Sequence, residues 1–121
     1  MNYSKFWIII LPLIWIGCAG NIKDDDNYDS QFKEALRLLE KEKFISAQDI
    51  LNTLAIRASH TDIGDNILYY LGESYFLNEE YQLAVIEYDK LIRRMGYSPL
   101  IEKARWRICE CYVAMSPKYY L

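Results

Sequence analysis

From residue 28 onward the chain resembles itself at a shift of 37. Phe32 falls on Tyr69 and Trp106, Ala35 on Gly72 and Cys109, and Leu38 on Tyr75 and Tyr112. The same shift carries Ala47 to Ala84, Leu51 to Tyr88 and Leu54 to Leu91, so both halves of the unit repeat. A fixed period of this size requires stacked supersecondary units, none of which buries its apolar face alone. Inside each unit the apolar residues fall at helical spacing, as in Phe32, Ala35, Leu36, Leu39 and in Ala47, Ile50, Leu51, Leu54. Two helices per unit follow. Polar turns separate them at Glu40-Lys41-Glu42-Lys43 and Asn78-Glu79-Glu80, and Gly96-Tyr97-Ser98-Pro99 divides the second unit from the third. Pro99 suits a helix first turn. The expected fold is an all-α superhelix of antiparallel helix pairs, about five helices in all, with repeats at 29–61, 62–98 and a partial third at 99–121.

Composition narrows the chemistry. A 121-residue chain that is 52% hydrophobic and 15% aromatic can build one small core. A net charge of -3 leaves no basic excess to neutralise a phosphate backbone, so nucleic acid is not an expected partner. With one histidine, His60, placed in a loop beside Thr61-Asp62, there is almost no material for a zinc or Cys/His site. No acid–base pair, nucleophile or phosphate loop is visible, so no catalytic residue, cofactor or metal is expected. Cys109 and Cys111 lie two apart on one helix and diverge by about 200°, so they cannot bond or chelate together. Cys109 is expected to be a small packing residue.

The first residues have a different logic. Lys5 precedes an apolar run from Phe6 to Ile16, too short for a bilayer-spanning helix of roughly 18–20 residues. This is the order of a secretion signal, expected over 1–17. Trp15-Ile16-Gly17-Cys18 resembles the bacterial lipobox, with Trp15 departing from its usual leucine. That resemblance implies cleavage before Cys18, lipidation of Cys18 and stable attachment to a membrane. Ala19 after the cysteine resembles the pattern that releases lipoproteins to the outer membrane. Residues 18–28, with Asp24-Asp25-Asp26, are expected to be a solvated acidic tether.

Leu71-Gly72, Tyr75, Ala84 and Tyr88 resemble the small, large and aromatic positions of the tetratricopeptide repeat, whose usual length is about 34. In that family Gly72 and Ala84 would be small because the paired helices cross there. The combination of anchor and tether with "ALRLLEKEKF", "LYYLGESYF", "YQLAVIEYDKLI" and "ICECYVAMSPKYYL" is similar to the N-terminal part of the BamD family. These are tetratricopeptide lipoproteins of the outer-membrane β-barrel assembly machinery, and Ser116-Pro117 sits where they commonly carry a Ser-Pro loop. The resemblance runs from Cys18 to Leu121. The family holds more repeats, so this chain is expected to be a truncated form that exposes an apolar face on its last helix.

The resemblance implies a non-enzymatic scaffold, lipid-anchored in the outer membrane and facing the periplasm. Its expected partners are the barrel-forming subunit and other members of the complex, with unfolded outer-membrane protein peptides as clients. The other expectation is an envelope adaptor for cell division or peptidoglycan processes. Transferring the tetratricopeptide frame puts Phe32, Tyr69 and Trp106 in one row of the concave surface and Leu39, Phe76 and Val113 in the next, with Asn66, Glu73 and Glu110 as polar neighbours. Two such stripes suit an extended peptide with alternating apolar side chains. The same residues also read as packing between helices.

Overall fold

The computed structural model describes residues 24–118, all helical apart from the connections. The elements are α1 (Asp24–Glu40), α2 (Phe44–Arg57), α3 (Gly64–Leu77), α4 (Tyr81–Arg94) and α5 (Ile101–Met115). Each helix packs on the next, and α1 also touches α3, so α1, α3 and α5 are the first helices of successive repeats. This is the helical-repeat superhelix expected from the sequence. The signal segment, Cys18 and the start of the tether lie outside the described residues. No described helix is long and apolar enough to cross a membrane.

The two hairpins turn identically. Glu42 and Glu79 have left-handed backbones, φ 57° and 63°. Each stands just past the end of a first helix. The N–H of Glu42 donates to Leu39 O at 3.0 Å and that of Lys43 to Leu38 O at 2.9 Å; Glu79 and Glu80 repeat the pattern to Phe76 O at 3.0 Å and Tyr75 O at 2.9 Å. These are Schellman closures, which satisfy the orphan carbonyls of a helix end through one left-handed residue. The turn between repeats differs. There the Ser98 hydroxyl donates to Asp65 Oδ2 at 2.7 Å and accepts from the Leu100 N–H at 3.1 Å, tying the start of α5 to α3.

The core runs as a chain of small clusters along the array. Ala35, Ala47, Leu51 and Leu71 join α1, α2 and α3; Leu54, Ala58 and Ile67 extend that layer. Leu68, Tyr69, Ala84, Tyr88, Leu91, Ala104 and Cys111 join α3, α4 and α5. Gly72 is small for a particular reason: a Cβ there would stand 2.5 Å from Cε1 of Tyr88. The next two nearest atoms, at 2.7 and 2.9 Å, belong to the same ring, so the residue that demands the glycine is Tyr88.

Three local expectations need adjustment. The helix α1 begins at Asp24 and takes up the last residues of the expected tether. Pro99 lies in the turn before α5, whose first residue is Ile101. Cys109 is exposed and Cys111 is buried, the reverse of the packing role expected for Cys109. Register explains the last point. Ala35 and Gly72 are buried by the second helix of their own repeat, and no described helix stands beside Cys109 in that position.

Candidate functional site

The nine groove candidates separate into covered and open positions. Phe32 is partly buried and meets Tyr70 of α3 edge-on, 5.7 Å between ring centres. Tyr69 is only 9% exposed, packed against Tyr70 at 5.4 Å and Tyr88 at 5.8 Å. Trp106, at the same register on α5, is 69% exposed. The second row follows the same trend. Leu39 packs on the core of the first hairpin and Phe76 meets Tyr81 at 5.6 Å, whereas Val113 is 75% exposed. Tyr70 of α3 covers Phe32, and Tyr88 and Tyr81 of α4 pack on Tyr69 and Phe76, whereas no described helix follows α5 to cover Trp106 and Val113.

Tyr69, Trp106 and Glu110 come together around an open groove of about 560 Å³, completed by Glu102, Lys103 and Arg107. Phe32, Leu39, Asn66, Glu73, Phe76 and Val113 do not line it. Asn66 is occupied locally: its backbone N–H and its Nδ2 both donate to Asp65 Oδ1, at 2.7 and 3.1 Å. Glu73 lies just behind the groove and organises its floor.

That floor centres on Arg107, which the sequence reading did not single out. Its Nε and Nη2 donate to the two carboxylate oxygens of Glu73 at 2.7 and 2.8 Å, and its Nη1 donates to Glu110 Oε2 at 2.9 Å. The guanidinium also stands 4.6 Å over the Phe76 ring, a cation–π contact. Tyr88 donates its hydroxyl to Glu73 Oε1 at 2.6 Å. The fork geometry of a guanidinium fixes carboxylates in a plane, so α3 and α5 are locked in register beneath the groove. One signal was available in the sequence: Arg107 stands at the register position of Tyr70, a cation where the preceding repeat has an aromatic.

Electrostatics reinforce this arrangement. Partial burial opposes the Arg107 charge, but the hydrogen bonds it donates to Glu73 and Glu110 outweigh it, and the guanidinium's pKa is raised. Burial, with the carboxylate of Glu73 next to it, pushes the Tyr88 phenol far above its ordinary range, and burial raises Tyr69 as well. Both phenols are therefore neutral hydrogen-bonding groups near pH 7. Among the described residues no three His, Cys, Asp or Glu side chains assemble into a metal site. The groove offers an indole, a phenol and a rim of mixed charge. Those groups can hold an apolar side chain and answer the polar main chain on either side of it. No model of a known protein family matches the chain, and no curated protein is detectably similar to it.

Proposed function

We propose that this chain is a non-enzymatic, lipid-anchored scaffold of the outer-membrane β-barrel assembly machinery. In this reading it binds the barrel-forming subunit and holds C-terminal peptides of client outer-membrane proteins. The observation that carries peptide capture is the exposed Trp106 beside Tyr69, set on the Glu73–Arg107–Glu110 floor. A client strand presents an apolar side chain at every second residue, and one such side chain suits the Trp106 face while Glu110 and Lys103 meet its backbone. The lipobox-like Trp15-Ile16-Gly17-Cys18 supports attachment at the membrane where such clients arrive.

Trp106→Ala is the informative variant, because the side chain is exposed and its removal should leave helicity unchanged. Exposed aromatic anchors of this kind often carry about 2 kcal/mol, so affinity for a fluorescent client C-terminal peptide should fall roughly thirtyfold. Tyr69→Ala should weaken both binding and folding, since that ring is core. Unchanged affinity in Trp106→Ala, with unchanged circular dichroism, would overturn the groove assignment.

A further inference from the structure

We infer that the edge of the array formed by the turns between repeats rests on a phospholipid surface, with Tyr97 and Ile56 at the bilayer interface and Arg57 and Arg94 at headgroup phosphates. This rests on the lipid anchor at Cys18 proposed above and on no other part of that function. Two turns make the edge, 58–63 between α2 and α3 and 95–100 between α4 and α5, and Ser98 of the second is tied to Asp65 beside the first. The helix α1 starts at this same end, for Tyr28 in its second turn packs against the cluster of Leu54, Ala58 and Ile67. Cys18 stands six residues before Asp24. Such a stretch reaches at most about 20 Å, so a lipid on Cys18 keeps this end of the array near the bilayer.

Proximity permits contact, and the side chains give it a direction. Tyr97 is fully exposed, and Ile56, next to the end of α2, is 82% exposed. Both turns lie between described helices, so this exposure does not come from the open end of the stack. The 37-residue shift carries Arg57 to Arg94 and His60 to Tyr97, so each turn presents a guanidinium and a ring in the same order. Arg37, Arg93, Arg105 and Arg107 are held by carboxylates, whereas Arg57 and Arg94 are exposed and make no ion pair among the described residues. Asp65 is occupied, accepting from the Ser98 hydroxyl and the Asn66 N–H, which leaves Asp62 as the carboxylate within the two turns. An open groove between the turns, about 370 Å³, brings Asp62 together with Arg94 and Tyr97. Those two charges match the ammonium and the phosphate of an ethanolamine headgroup. Asp24-Asp25-Asp26 offsets the arginines, so the attraction is to individual headgroups and to the interface, where tyrosine and arginine concentrate, and not to a net negative surface. The opposite edge has none of this: Glu40-Lys41-Glu42-Lys43 and Asn78-Glu79-Glu80 contain four glutamates, no arginine and no apolar residue.

A single indole measures the depth of each edge. Trp7 and Trp15 fall in the signal segment, so a mature chain holds Trp106 alone. In a Trp106→Phe background, Tyr97→Trp puts the indole on the turn edge and Gln82→Trp puts it near the hairpin edge; both positions are exposed, so the fold is kept, as circular dichroism would check. The full-length protein would be matured in cells, its lipid read from its mass, and the chain reconstituted into vesicles of phosphatidylethanolamine and phosphatidylcholine with or without bromine near the carbonyl end of the acyl chains. Bromine should quench the Tyr97→Trp form about twofold and leave the Gln82→Trp form nearly unchanged. Adding Arg57→Glu and Arg94→Glu should remove most of the quenching at 97. Three results on a lipidated chain would each overturn the inference and leave the anchor standing: no quenching at 97, equal quenching at 82, or quenching at 97 undiminished by the charge reversal. A mature chain without lipid on Cys18 would overturn the anchor and the inference together, and its mass sets that result apart from the other three.

Discussion

Arg107 and Glu73 face each other across the α3–α5 contact with side chains 29% and 12% exposed, through two parallel N–H···O bonds. Removing one member of a buried charge pair leaves the other desolvated and unanswered. Arg107→Ala should therefore destabilise the fold by about 1–3 kcal/mol, discounted from a fully buried pair because the guanidinium is partly wet. Urea unfolding followed by circular dichroism measures this. A loss below about 0.5 kcal/mol would show that the pair does not lock the register. Tyr88 gives a pH signature at the same site. An ordinary tyrosine ionises near 10.0, and in the fold this phenol is held well above that by burial and by Glu73. The unfolded chain then releases a proton that the folded chain keeps, so the associated stability is complete below about pH 10 and is lost as pH climbs past it. Thermal melts should fall steeply on the alkaline side, and less steeply in Tyr88→Phe; identical slopes would contradict the assignment. Little of this was legible in the sequence. Glu73 could be placed on a face by periodicity, but its partner Arg107 lies in the next repeat, and which side chains meet across repeats depends on how far one helix is rotated against another.

At the scale of the element, the repeat period carried nearly everything. It placed five helices and both hairpin turns, because a helical pattern that recurs in register leaves few other ways to bury the same stripe twice. It did not reveal that each turn closes on a glutamate in the left-handed region. Glu42 and Glu79 adopt this conformation where glycine is the usual occupant, a backbone strain of about 1–2 kcal/mol per residue. Glycine's larger entropy loss returns part of that. Glu42→Gly and Glu79→Gly should each raise stability by about 0.5–1 kcal/mol, with no change in helicity. A destabilising effect would mean the carboxylates have a role beyond the turn. Gly72 argues the opposite case. Gly72→Ala drives a methyl into the Tyr88 ring and should destabilise the second repeat by about 1–3 kcal/mol; pairing it with Tyr88→Leu, the residue type the first repeat uses at this position, should recover much of the loss.

Considered whole, the array stabilises itself through nearest neighbours, so exposure rises wherever a face has none. That single fact separates Phe32 and Tyr69, which pack against neighbouring helices, from Trp106 and Val113, which are open. It also explains Cys109. Sequence spacing correctly aligned these residues, yet alignment assigns register and not coverage, so equivalent positions turned out to have different surroundings. The proposed peptide groove lies at one of these open positions, Trp106 on α5. The proposed place of this scaffold is at the outer membrane, anchored by Cys18 and associated with barrel assembly. Crosslinking cells that express a C-terminally tagged form of the full-length protein, extracting the membranes and identifying what co-purifies tests that claim most directly. A barrel-forming assembly subunit should be among the dominant partners, and recovery of division or peptidoglycan proteins in its absence would contradict the account.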